Sequence, residues 1–116
     1  MLNQIVLVGR LTKEPEVKEL EDGKTVSNIT LAVPRNFKNV NGEYDTDFID
    51  ATLWDVAAKN TAEYCKKGDV VGIRGRLQND TYEKDGNKIS KLNLIAERVT
   101  FLSSSREHQN SEPERA

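Results

Sequence analysis

DFIDATLWDVAAKNTAEYCKKGDVVGIRGRLQ, residues 47 to 78, changes its periodicity twice. Over DFIDATLW (47–54) the residues alternate: Ile49, Ala51 and Leu53 fall on one face of an extended strand, and Phe48, Asp50, Thr52 and Trp54 on the other. The middle part, DVAAKNTAEYCKKG (55–68), is rich in Ala, Glu and Lys and has no β-branched run. Ala58, Ala62 and Cys65 recur at helical spacing, and Asp55 is placed to cap the first turn. Lys66, Lys67 and Gly68 supply a basic last turn and a C′ glycine, so a helix of about three turns is expected. Alternation returns in DVVGIRGRLQNDTYE (69–83), with Val71, Ile73, Gly75 and Leu77 on one face and Arg74, Arg76, Gln78, Asp80 and Tyr82 on the other. The stretch reads strand, helix, strand.

Outward from it, three more segments read as strands: NQIVLVGRL (3–11), KTVSNITLAVPR (24–35) and KISKLNLIAERVTFL (88–102). Turn clusters separate the segments at EDGK (21–24), NVNG (39–42), KKGD (66–69) and EKDGN (83–87), and KDG (84–86) marks a hairpin in which Gly86 takes positive φ. Five strands with one helix between the third and fourth is the order of an all-β, five-stranded Greek-key barrel of the oligonucleotide-binding (OB) type. One domain over residues 1–102 follows, and the polar run 103–116 has nothing to bury and is expected to be disordered. Apolar residues on both faces of the first segment (Ile5, Leu7 and Leu11 against Val6 and Val8) suit burial between subunits.

Composition narrows the function. The 116 residues are 36% hydrophobic and 31% charged, with no apolar run near the roughly 20 residues that span a bilayer. The N-terminal apolar patch lacks a basic n-region and a cleavage site, so it reads as a strand and not a signal peptide. The lone Cys65 permits no internal disulfide, which fits the cytoplasm. The only histidine, His108, lies in the tail, so no Ser-His-Asp or Cys-His arrangement forms in the fold, and Cys65 among alanines reads as an inert core thiol. Asp45, Asp47 and Asp50 show no reason to converge on a metal and read as a charged hairpin end. No enzyme, no metal site and no cofactor is implied.

The aromatics carry the positive signal. Phe48 and Trp54 bracket polar residues on a strand face, Tyr82 ends a basic face, and Phe37 sits between Arg35 and Lys38 where a strand ends. One such residue reads best as cover for a barrel end or a subunit interface. Four together on an OB barrel read as a platform on which unpaired bases stack, at about 1–3 kcal/mol per base and without sequence preference. A net charge of −2 opposes this, because binders of nucleic acid are often basic.

NQIVLVGRLTKEPEV, VSNITLAVPRNFKN, FIDATLW, AEYCKKGDVVGIRGRLQ and TYEKDGNK, taken in order, resemble the bacterial single-stranded DNA-binding protein (SSB) family over residues 1 to about 102. The resemblance implies an OB-fold assembled as a homotetramer, with its first strand paired to a symmetry mate. It also implies sequence-independent binding and protection of single-stranded DNA in replication, recombination and repair. The family's stacking aromatics fall on Phe37, Phe48, Trp54 and Tyr82; many members have tryptophan at the first two and the last, which implies weaker stacks here. Phosphate contacts carry over to Arg35, Lys38 and Lys67, and less directly to Arg10, Arg74 and Arg76. Asp80, where relatives commonly carry a basic residue, and Asp50, between Phe48 and Trp54, imply weaker binding or a strand path that avoids them.

The ending SEPERA lacks the acidic tip finishing in Pro-Phe that recruits replication and repair enzymes. The resemblance therefore implies weak or absent recruitment, as in a short accessory, mobile-element or competence-type member. The low charge also admits a second class, a protein-interaction OB module of the primosomal replication protein type with little DNA affinity. RNA is a third possibility, because stacking does not distinguish the sugar.

Overall fold

In the computed structural model, residues 1–104 are described. Six strands and one helix follow in the order β1 (Ile5–Leu11), β2 (Lys18–Glu19), β3 (Thr25–Lys38), β4 (Tyr44–Trp54), α1 (Asp55–Tyr64), β5 (Val70–Lys84) and β6 (Asn87–Ser103). The sheet order is β1-β5-β6-β4-β3-β2, and β1 also pairs with β3 through Arg10↔Ala32 and Leu11↔Leu31. That extra ladder closes the five long strands into the expected barrel. All pairings are antiparallel except β4 with β6, where Thr52↔Ile95 and Leu53↔Ala96 run parallel across the helical crossover. β2 is a two-residue addition at the β3 edge, too short to leave a periodic signal.

Alternation places the core as read. Leu11, Ile29, Leu31, Ala51, Leu53, Val71 and Ile73 point inward and are almost wholly buried. Leu77 departs from the pattern: it is 38% exposed, because β5 and β6 run on beyond the barrel as a hairpin arm. A second arm forms where β3 and β4 extend past the barrel to Lys38↔Tyr44, so Phe37 lies within a strand and not beyond its end. The β5–β6 arm closes on Asp85 and Gly86, both at positive φ, in a two-residue turn.

Two glycines mark close approaches. β6 carries an extra residue, Glu97, between Arg74↔Arg98 and Gly75↔Ala96, and this bulge brings the Ile95 carbonyl against Gly75. A Cβ on Gly9 would lie 2.8 Å from the Ala32 carbonyl, where β1 meets β3.

The helix has the expected length of about three turns, but its ends differ from those expected. Asp55 takes φ +48, and its carboxylate accepts a hydrogen bond from the Thr25 backbone N–H at 3.4 Å, so it ties the helix start to β3 and does not cap the first turn. Cys65 ends the helix in extended conformation, leaving the last turn without a basic residue. Gly68, at φ +91, serves the following turn, where its N–H donates to the Leu11 carbonyl. Ala58, Thr61 and Cys65 form the buried helical face, with Ala62 at its margin. Burial and the nearby Asp69 push the Cys65 thiol up from its ordinary pKa, in keeping with an inert core residue. No described helix is long and apolar enough to cross a membrane. The tail from residue 105, His108 included, lies outside the described residues.

Candidate nucleic-acid interface

Residues directly opposite in a ladder share a face, so register maps the outer wall. Across β3 and β4 the outward pairs are Val26↔Trp54, Asn28↔Thr52, Thr30↔Asp50 and Ala32↔Phe48. The parallel pair Thr52↔Ile95 continues the row onto β6, and Ile95↔Arg76 continues it onto β5. Steps of two along these strands add Asn93 and Lys91 on β6, then Gln78, Asp80 and Tyr82 on β5. Phe48, Trp54 and Tyr82 therefore lie on one continuous face, 69%, 38% and 48% exposed. Tyr44, two steps before Phe48, extends it with the Lys38 Nζ 5.8 Å above its ring. Phe37 is also exposed, but pairing is irregular between Pro34 and Lys38, so alternation does not assign its side.

Against Phe48 lies a groove of about 600 Å³, lined on one side by Asn28, Thr30, Asp50, Thr52, Lys13 and Lys91 and on the other by apolar residues that include Ile29, Ile49, Leu77 and Leu94. The floor is hydrogen-bonded across the strands: Thr30 Oγ1 donates to Asp50 Oδ1 at 2.6 Å, and Thr52 Oγ1 to Asn28 Oδ1 at 3.1 Å. A smaller groove of about 340 Å³ continues from Asn28 and Val26 past Lys13 and Lys18, with Glu14 and Glu16 beside them. Lys13, Lys18, Lys91 and Tyr44 were not among the residues expected from the sequence. Lys91 and Tyr44 follow from parity once the strand bounds are known; Lys13 sits in a loop with no periodic signal.

The expected cations separate into engaged and open. The Arg35 guanidinium grips Asp47 through both Nε and Nη2 at 3.0–3.3 Å and reaches Asp45 at 3.8 Å. Hydrogen bonding from Arg35 holds the Asp47 carboxyl below its ordinary range, and the same bond raises the Arg35 pKa. Arg76 pairs with Glu97 at 3.7 Å, and Arg10 Nη1 donates to the Gly68 carbonyl at 2.7 Å. The Lys67 backbone N–H donates to Glu14, its side chain lying exposed beyond the helix. Arg74 stands opposite both Arg98 and Val6, further round the wall from the groove, whereas Arg10 stands opposite Ala32, in the row of Phe48. Asp80 accepts hydrogen bonds from Gln78 Nε2 and Asn93 Nδ2, which hold its carboxyl below the ordinary range. Its charge is thus met from within the arm. Among the described residues no group of His, Cys, Asp and Glu is arranged to hold a metal.

Residues 2–102 match the model of the single-strand binding protein family. The chain is 45% identical over 103 residues to single-stranded DNA-binding protein B of Bacillus subtilis, covering 88% of this chain and 91% of that one. It is 44% identical over 108 residues to single-stranded DNA-binding protein 1 of Clostridium acetobutylicum, covering 91% and 98%. Its fold is similar to that of a deletion variant of the single-stranded DNA binding protein from Thermus aquaticus, with a TM-score of 0.75 at 27% identity, over 90% of this chain and 52% of that one. Other relatives are longer: the chain spans 61% of the Bacillus cereus protein, at 45% identity over 88% of its own length.

Proposed function

The chain belongs to the single-strand binding protein family, and from that premise we propose that it binds and protects single-stranded DNA, independently of base order, during replication, recombination and repair. The observation that carries this reading is the continuous outer face on which Phe48, Trp54 and Tyr82 stay exposed, with an open groove against Phe48. Apolar rings left in water on a closed barrel are surfaces for unpaired bases, which duplex DNA does not present. Phe37 and Tyr44 lengthen the platform along the β3–β4 arm. Lys13, Lys18, Lys38 and Lys91 face the phosphates. Arg76 stands on the same face in the row of Thr52 and Ile95, and Arg10 in the row of Ala32 and Phe48; Lys67 and Arg74 lie further out and serve a strand that wraps the barrel, and Arg35 contributes through the hairpin it braces. The family is one of DNA-binding proteins and not of enzymes.

The DNA-binding unit is residues 1–102, acting in the cytoplasm as a homotetramer. β1 supports the assembly, since it pairs with β5 from Ile5 to Arg10 but with β3 only at Arg10 and Leu11, leaving its other edge open from Ile5 to Val8. Beside that edge Val6 and Val8 are 65% and 51% exposed. An open edge flanked by apolar side chains is a template for pairing with a second copy.

Trp54 is the only tryptophan and reports directly. Titration with mixed-sequence single strands is expected to quench its fluorescence strongly, less at higher salt, and not at all with duplex. A flat titration at low salt, with no gel shift, overturns the reading and favours the protein-interaction module. Light scattering that finds a monomer overturns the tetramer.

A further inference from the structure

Asn3 lies just before β1, and its exposed side chain makes a paired contact across the sheet. Its Nδ2 donates to the Leu77 carbonyl at 2.7 Å, and its Oδ1 accepts from the Leu77 backbone N–H at 2.9 Å. The β1–β5 ladder pairs Ile5 with Gly75, so antiparallel counting puts residue 3 opposite residue 77. A carboxamide has the donor and the acceptor of a peptide unit. The Asn3 side chain therefore fills the next rung of the ladder after the backbone pairing has ended. That rung falls at the root of the β5–β6 arm. There the bulge at Glu97 bends the ribbon, and on its other edge the pairing of β6 with β4 stops at Ile95. Beyond Leu77 the arm continues as two strands, a unit of marginal stability by itself.

Resting on the single-strand reading above, we propose that Asn3 is a positioning residue for binding: through Leu77 it fixes the angle at which the arm presents Tyr82 to the bases. Tyr82 stands five residues beyond Leu77, about 17 Å along the strand. A swing of about 10° at that root moves the ring by about 3 Å, close to the contact distance between stacked rings of about 3.5 Å. Phe48 and Trp54 do not share this dependence. They belong to β4, whose opposite face packs Ile49, Ala51 and Leu53 against the core. Asn3 thus governs one stack of the platform and leaves the others in place.

The test is a pair of double-mutant cycles on the full chain, read as Kd for oligo-dT by anisotropy: Asn3→Ala with Tyr82→Ala, and Asn3→Ala with Phe48→Ala. In the unaltered chain Tyr82→Ala is expected to raise Kd about 5- to 150-fold, the value of one stack. In the Asn3→Ala background that factor is expected to shrink by about threefold or more, while the factor for Phe48→Ala is the same in both backgrounds. Asn3→Asp keeps the shape and the acceptor but removes the donor, and is expected to give the same selective coupling. Its added charge acts alike with and without the Tyr82 ring and cancels within the cycle. Equal Tyr82 factors in both backgrounds overturn the proposal. So does a loss shared equally by Tyr82 and Phe48, which marks a general loss of structure or assembly. Single-strand binding stands in either case. If the unaltered chain binds no oligo-dT, the function proposed above falls and the inference falls with it.

Discussion

Truncating Phe48 to alanine separates binding from folding, because the ring faces water and the strand's other side builds the core. Phe48 is 69% exposed, so about a third of a ring worth roughly 200 Å² is covered, or about 60 Å². At about 25 cal/mol per Å² the lost burial is at most about 1.5 kcal/mol, an upper bound because the unfolded chain is itself partly compact. Leu53, on the opposite face of the same strand, has no exposed surface, and Leu53→Ala is expected to lose about 2–5 kcal/mol. The order reverses for DNA. Phe48→Ala removes one stack, about 1–3 kcal/mol, which raises Kd about 5- to 150-fold. Leu53→Ala, measured where it remains folded, is expected to change Kd much less. Urea unfolding and Trp54 quenching by single strands read both effects on the same samples. The reasoning is refuted if Phe48→Ala destabilises as much as Leu53→Ala, or if it leaves Kd within a factor of two of the unaltered chain.

A Cβ on Gly75 would stand 2.0 Å from the Ile95 carbonyl oxygen, so Gly75→Ala is expected to lose about 3 kcal/mol or more in urea, whereas Gly72→Ala, with nothing nearer than 3.6 Å, stays within about 1 kcal/mol. Asp80 is held below the ordinary aspartate pKa of 3.8 by Gln78 and Asn93, so its contribution is complete above that value and disappears as the pH falls through the lower folded pKa; the acid limb of a Tm–pH profile is expected to be shallower in Asp80→Asn. Asp47 has the same sign and leaves a residual limb. With about four open lysines near the groove, log K for single strands is expected to fall with log salt at a slope of about −3, and Lys91→Ala to reduce that slope by about 0.7. A slope of about −5 means that the three engaged arginines also reach phosphate.

The barrel was legible because period-two alternation and the single Ala-rich helix are properties of short local windows. Phe48, Trp54 and Tyr82 could be singled out for the same reason: parity puts each opposite a core position. What escaped depended on partners distant in the chain. Asp55 is an N-cap by residue type, but Thr25 on another strand claims its carboxylate. Leu77 has core parity but lies past the point where the barrel has anything to pack against it. Arg35 reads as a phosphate contact until the hairpin register brings Asp47 opposite Val33 and beside it. Lys13 comes from a loop, where no periodicity exists to place it.

The same long-range pairing answers the objection raised by net charge. A total of −2 treats every ion as equally visible to DNA, and the fold does not. Asp47 is gripped by Arg35, and Asp80 by two amides within its own arm. These carboxylates remain charged, but their lone pairs are directed at protein donors. Arg35 and Arg76 are correspondingly engaged with acids, whereas Lys13 and Lys91 edge the groove and face outward. Over the length of a screened field, about 8 Å at physiological salt, the groove answers to its rim and not to the sum over the chain. On the proposed platform, few open cations also shift the work of binding from phosphate attraction to ring stacking.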